Sequence, residues 1–244
     1  METFWITVVA AIWGVGTGLF IPRVAYRLSV PPDEPLRATC PDGHPLAGPG
    51  RGGLGRARCS DGDSFGPGMP VVAVVTAVVC AVLAAAGQAR PELAVWVVLV
   101  PVGVLLAAVD LTVARLPDIV TVPLAVTTLS LLGVAALLPG TGGSWRRALL
   151  GSLAFGVFCL ALFLINPAKF GFGDVKLAPT IGAVTGWYGW NILVAGTFTG
   201  FVLFVLYGFS LLVARRAHRR TAHPLGPFLL AGAGAGVLFG SLVS

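Results

Sequence analysis

The chain has 244 residues, 56% of them hydrophobic and only 11% charged, with a mean hydropathy of +0.90. Soluble domains usually carry roughly 25% charged residues, so a water-facing surface around most of this chain is excluded and lipid is the implied solvent. A formal net charge of +6 would suit nucleic acid, but the Lys and Arg sit between apolar runs and line no single helix face; membrane topology explains them and a nucleic-acid partner does not.

A helix needs about 20 apolar residues to cross a hydrocarbon core of ~30 Å. The apolar runs predict eight spans, near 4–22, 69–88, 92–110, 119–139, 148–166, 177–194, 197–214 and 226–243. The expected fold class is all-α: a polytopic membrane helix bundle with one cytoplasmic loop between the first two spans. Residues 177–214 as one helix would be ~57 Å long, so two passes are expected, with Gly186, Gly189, Gly196 and Gly200 around their boundary. The first run opens on Met1, Glu2 and Thr3 and is followed by Arg23 and Arg27, the charge order of a retained anchor whose N-terminus lies outside. In that orientation thirteen of the sixteen Lys and Arg lie on the cytoplasmic side, leaving Arg90, Arg146 and Arg147 outside, and both chain ends face out. The cluster Arg215, Arg216, Arg219 and Arg220 reads as the anchor of the seventh span, in contact with membrane lipid. Trp187, Tyr188 and Trp190 are expected in an interfacial aromatic belt.

Residues 23–68 are rich in Gly, Pro and Asp and lack the apolar residues for a core of their own; they form a flexible loop or a segment that a metal must organise. Cys80 and Cys159 lie within apolar runs, where a thiol behaves as a small hydrophobe. Cys40 and Cys59 share the polar loop, where a disulfide and a metal site are both open.

The ten acidic residues are the informative ones. Seven lie in tails or loops, where a solvated carboxylate needs no explanation. Asp110 ends the third span, Asp118 begins the fourth and Asp174 begins the sixth, and each would cost about 2.5–3.5 kcal/mol at the bilayer centre. Alternating passes place all three toward the cytoplasmic face. Asp118 follows the helix-breaking Pro117 and is expected as a cap or first-turn acid. Asp174 follows Gly171 and Gly173, which permit positive φ just before a helix and let a backbone or peptide approach closely. Lys176 is expected as an interfacial anchor or as a charge partner of Asp174. Two carboxylates brought together hold one proton between them, so one accepts a proton from water while the other protonates a carbonyl. That chemistry hydrolyses peptides without metal or cofactor. On these grounds Asp110 and Asp118 are equal candidates to partner Asp174. The rival is a small transporter or assembly scaffold whose aspartates relay protons or ions.

Four stretches resemble the type IV prepilin peptidase family, membrane aspartic proteases with a glycine-x-glycine-aspartate motif. GFGDVKLAPTIGAVTGW resembles its glycine–aspartate–lysine–leucine segment and DLTVARLPDIVTVPL its leucine–proline–aspartate segment. HPLGPFLLAGAGAGVLFG is similar to its last helix, and GLFIPRVAYRLSVPP to its first span and loop. The resemblance implies Asp110 and Asp174 as the catalytic pair, with Gly171, Gly173 and Lys176 on the substrate side. It implies cleavage of the basic leader from type IV prepilins or pseudopilins at the cytoplasmic face of a bacterial inner membrane. The implied domains are a first transmembrane helix at 1–22, a reduced methyltransferase or zinc-type loop at 23–68 and a peptidase domain at 69–244. Family members often carry two CxxC pairs in that loop and methylate the new amino terminus from S-adenosylmethionine. Here each pair lacks a member, so S-adenosylmethionine is not expected. Cys40, His44, Cys59 and Asp61 remain as a ligand set for zinc. No cofactor is expected for proteolysis itself.

Overall fold

The computed structural model describes residues 1–30, 34–46, 55–87, 89–167, 170–214 and 224–244. Among them are nine helices: α1 (Glu2–Gly18), α2 (Ile21–Leu28), α3 (Met69–Gly87), α4 (Pro91–Val113), α5 (Asp118–Ala135), α6 (Trp145–Ile165), α7 (Phe172–Gly186), α8 (Trp190–Val213) and α9 (Gly226–Val243). The one sheet among these residues is an antiparallel ribbon of β1 (Ala57–Arg58) and β2 (Ser64–Phe65), with Ala57 opposite Phe65. The expected all-helical membrane bundle is thus observed. Lys169 and the Arg215, Arg216, Arg219 and Arg220 anchor lie outside the described residues.

The chain forms two compact units. The first is Met1–Ala89 with Trp96–Val113, and the second is Arg90–Val95 with Ala114–Ser244. In the first, α1 lies so close along α3 that a Cβ on Gly18 would stand 2.7 Å from the Ala73 Cα. The Trp13 indole donates to the Val97 carbonyl at 3.1 Å. The opposite face of α1 presents Phe4, Trp5, Val9 and Ile12, all exposed, as a lipid-facing helix requires. A 44° bend separates α1 from α2. The polar loop is tied to α2: Arg23 donates to the Leu46 carbonyl at 2.9 Å, and Tyr26 stacks on Phe65 with ring centroids 5.4 Å apart. It therefore has a small packed base, with Ala57 fully buried, where composition alone predicts none.

In the second unit α7 is the central helix. Nine of its fifteen residues are buried, and it packs against α5, α6, α8 and α9. Gly182 of α7 meets Gly151 of α6 with no room for a Cβ on either.

Among the described residues six helices are long and apolar enough to cross a membrane, or seven if bent α1 and α2 make one span, against the eight expected. The helix missing from that count is α7. Its fifteen residues reach only ~22 Å, and because other helices surround it, its sequence need not be continuously apolar. The break before α8 also falls earlier than expected, at Gly189 with φ +143°; Gly196 and Gly200 lie inside α8, where they let α9 approach. Trp187 is fully buried and Tyr188 nearly so, leaving half-exposed Trp190 as the only member of the expected belt on the surface.

Candidate active site

Three acidic side chains are buried among the described residues: Glu92, Asp110 and Asp174. The other described carboxylates are exposed. Asp110 lies in the last turn of α4, in the first unit, and is 5% exposed. The helix closes just beyond it at Ala114, whose φ of +49° is left-handed for a residue with a side chain. The free-energy penalty of that backbone makes Ala114 a firm helix stop.

Asp174 belongs to the second unit. Gly171, with φ −70° and ψ 135°, is the N-cap of α7, and the Asp174 N–H donates to the Gly171 carbonyl at 3.1 Å. Asp174 is therefore a first-turn acid, placed where the helix dipole favours negative charge, and it is 7% exposed. Neither Gly171 nor Gly173 uses positive φ; a side chain at either would make a tight contact. A Cβ on Gly171 would stand 3.2 Å from the Asp174 Oδ2, and one on Gly173 would stand 3.3 Å from the Leu116 N. Gly171 is exposed, whereas Gly173 is half-buried against the start of α5.

Lys176 forms an ion pair with Asp118, the first residue of α5, and its ammonium lies 4.7 Å from the centroid of the Phe172 ring. The Asp118 side chain is 64% exposed, so water screens the pair and its stabilisation is worth at most about 1 kcal/mol. Asp118 is the first-turn acid of α5, one of its two expected roles, whereas Lys176, expected as an anchor or a partner of Asp174, pairs with Asp118. The available signal was one unpaired anion and one unpaired cation at helix ends expected on one face.

Glu92, expected in solvent, is 1% exposed. It sits in the first turn of α4 and its Oε1 accepts from the Gly142 N–H at 2.8 Å. Its apolar neighbours in the sequence do not reveal this, because the burial is supplied by the distant 140–144 turn.

The polar loop gathers Cys40, His44 and Cys59, with ligand atoms all within 4.8 Å of one another; Asp61 joins an overlapping group with Asp42 and Cys59. Two short turns present them. Cys40 N–H donates to the His44 carbonyl at 2.9 Å, and Cys59 N–H to the Asp63 carbonyl at 2.8 Å. The Cys59 Sγ lies 3.5 Å from the His44 Nδ1, which lies 3.4 Å from the Asp61 Oδ2. The backbone N–H of Asp61, followed by the Cys40 thiol, holds the Cys59 thiol below its usual range, while burial and the Cys59 bond push Cys40 up. All four cysteines are free. Two thiols and an imidazole this close are a donor set of the kind zinc takes, with Asp61 near enough to complete it.

The fold defines a polytopic helical membrane protein that carries buried acids at helix ends. Residues 97–215, a segment that includes Asp110, Asp118 and Asp174, match the model of the type IV leader peptidase family. A prepilin leader peptidase/N-methyltransferase of Burkholderia pseudomallei (strain K96243) is 33% identical over 144 residues, 56% of this chain and 43% of the relative. One of Aeromonas salmonicida (strain A449) is 27% identical over 181 residues, 72% of this chain and 59% of the relative. One of Bacillus subtilis (strain 168) is 31% identical over 100 residues, 41% of this chain and 39% of the relative. The chain thus spans about half the length of the curated relatives it matches. No solved structure matches it significantly.

Proposed function

We propose that this chain is a membrane aspartic endopeptidase that removes the basic leader from type IV prepilins or pseudopilins, with Asp110 and Asp174 as its catalytic carboxylates. One observation carries the reading: the segment matched to the leader peptidase family holds two aspartates that are 5% and 7% exposed beside helix ends. Carboxylates held in buried, environment-perturbed positions cluster at functional sites. In the proposed reaction one carboxylate takes a proton from water as the hydroxyl oxygen bonds to the scissile carbonyl carbon. The other carboxyl gives its proton to the carbonyl oxygen. The tetrahedral intermediate then collapses, the C–N bond breaks and the leaving nitrogen takes a proton. Exposed Gly171 leaves the first turn of α7 open to an extended peptide backbone.

The proposed location is a bacterial inner membrane, with the reaction at its cytoplasmic face and, taking the enclosed α7 as an eighth pass, both chain ends outside. Support comes from the distribution of Lys and Arg, thirteen of sixteen of which fall on that side in this orientation. A prepilin leader remains in the cytoplasm while its apolar helix is in the membrane, so the scissile bond meets that face. The proposed peptidase domain is 69–244. Methyl transfer is no part of the proposal.

The test is mass spectrometry of a prepilin-like substrate incubated with the purified protein in lipid. The expected product is shortened by its leader and carries no added methyl group. Cleavage at full rate by Asp110→Asn or Asp174→Asn would overturn the assignment. Proton or ion flux through an uncut, folded preparation would favour the relay reading instead.

For the loop, we infer that Cys40, His44 and Cys59, with Asp61, hold a structural zinc ion that clamps its two turns together. Metal analysis should return about one zinc per chain, falling below about 0.2 in Cys40→Ser with Cys59→Ser. Equal and negligible zinc in both proteins would remove the ion from the account.

A further inference from the structure

We propose that Asp118 and Lys176 are a positioning pair that fixes the first turn of α7, and with it the Asp174 carboxylate; this rests on the peptidase reading above. The contacts of that turn with the rest of the second unit include three that bear on its position. Gly173 lies against Leu116, where a Cβ would come within 3.3 Å of the backbone N. Phe172 packs on Phe163 of α6 with centroids 5.1 Å apart. Lys176 bridges the two contacts, its ammonium paired with Asp118 at the start of α5 and seated over the Phe172 ring. Asp174 lies between Gly173 and Lys176 in sequence, so both tethers bear on it directly.

The chemistry of the pair separates positioning from other roles. The Lys176 side chain is 23% exposed and that of Asp118 is 64% exposed, so the attraction adds little to global stability. Yet a reacting group displaced by about 1 Å loses on the order of 100-fold in rate. Neutralising either partner should therefore leave the protein folded while the turn shifts. A lysine that instead gripped the substrate would act on binding, and an exposed structural pair would act on neither binding nor rate.

The experiment compares the wild type, Asp118→Asn, Lys176→Met and the charge swap Asp118→Lys with Lys176→Asp, using a purified prepilin-like substrate. The expected result is a 10- to 100-fold fall in kcat for each single variant. KM should stay within about threefold and Tm within about 3 °C of the wild type, and the swap should recover at least about a third of the lost rate. A rise in KM at unchanged kcat would overturn the proposal in favour of substrate contact. Loss of rate in proportion to loss of Tm would overturn it in favour of a structural role, and a swap as slow as the single variants would overturn the pairing. Failure of the peptidase reading is distinguishable, because all four proteins would then leave the substrate uncut and the positioning role would fall with it.

Discussion

Helices α7 and α8 are consecutive and belong to the same unit, yet they meet the membrane in opposite ways. Of the 24 residues of α8, only Ile192, Leu193, Gly196 and Gly200 are buried; residues such as Val194, Phe198 and Val205 face outward and are more than 60% exposed. Shorter α7 buries nine residues of fifteen, including Asp174, Thr180 and Thr185. A helix bathed in lipid must be apolar all along its outer face, whereas a helix enclosed by other helices is released from that rule. It can be short, and it can carry the polar groups that chemistry needs. Of these two helices, the less membrane-like one bears a candidate catalytic acid, whereas the other candidate, Asp110, sits at the end of the long apolar α4.

The largest expected effect falls on that acid. Asp174→Asn keeps the shape of the first turn of α7 and removes only the proton-transfer capacity, so cleavage should fall by about 10²–10⁴-fold with the unfolding midpoint nearly unchanged. Asp110→Asn should do the same. If both variants cut at the wild-type rate, α7 is enclosed for packing alone and the functional half of the comparison fails.

Next in size is packing. Gly182→Ala in α7 would drive a methyl group into the Gly151 carbonyl and the Phe155 Cβ. Overfilling a close-packed crossing typically costs about 1–3 kcal/mol, read as a lower midpoint in thermal or denaturant unfolding in lipid. A neutral outcome would mean that α6 and α7 can separate freely, contrary to a central, enclosed α7.

What sequence could read divides along the same line. The lipid-exposed helices α3 to α6, α8 and α9 announce themselves by long apolar runs; the expected positions of all but α8 are close, and α8 starts seven residues before its expected 197. The expected sixth span begins at 177, five residues inside α7, because Gly173, Asp174 and Lys176 lower the hydropathy of the first helical turn. Local chemistry was more legible: Pro117 marks the start of α5 and Asp174 is the first-turn acid expected of α7, although Gly173 lies inside the helix and neither glycine takes positive φ. Features that depend on distant partners stayed hidden. Glu92 looks solvated until the Gly142 N–H is brought to it, and the Asp118–Lys176 pair spans two motifs that sequence presents as separate. In the loop, the nearness of Cys40, His44 and Cys59 depends on two turns that composition alone describes as formless.

The smallest expected effect has the opposite sign and is the sharpest control on the comparison. Gly208 lies in the interior of α8, and a Cβ built there meets nothing within 4 Å. Glycine inside a helix is less favourable than alanine by roughly 0.5–1 kcal/mol, because the unfolded chain has more freedom to lose. Gly208→Ala should therefore raise the unfolding midpoint slightly and leave cleavage untouched, the same substitution that is destabilising at Gly182. Both sites are helical glycines without positive φ, so backbone propensity favours alanine at each. Only the neighbours differ: the backbone of α6 against Gly182, and open space beside Gly208 where lipid would sit. A loss of stability at Gly208 comparable to that at Gly182 would mean that α8 is covered by protein at that point. Its outward face would then have to be reassigned from lipid to a partner helix.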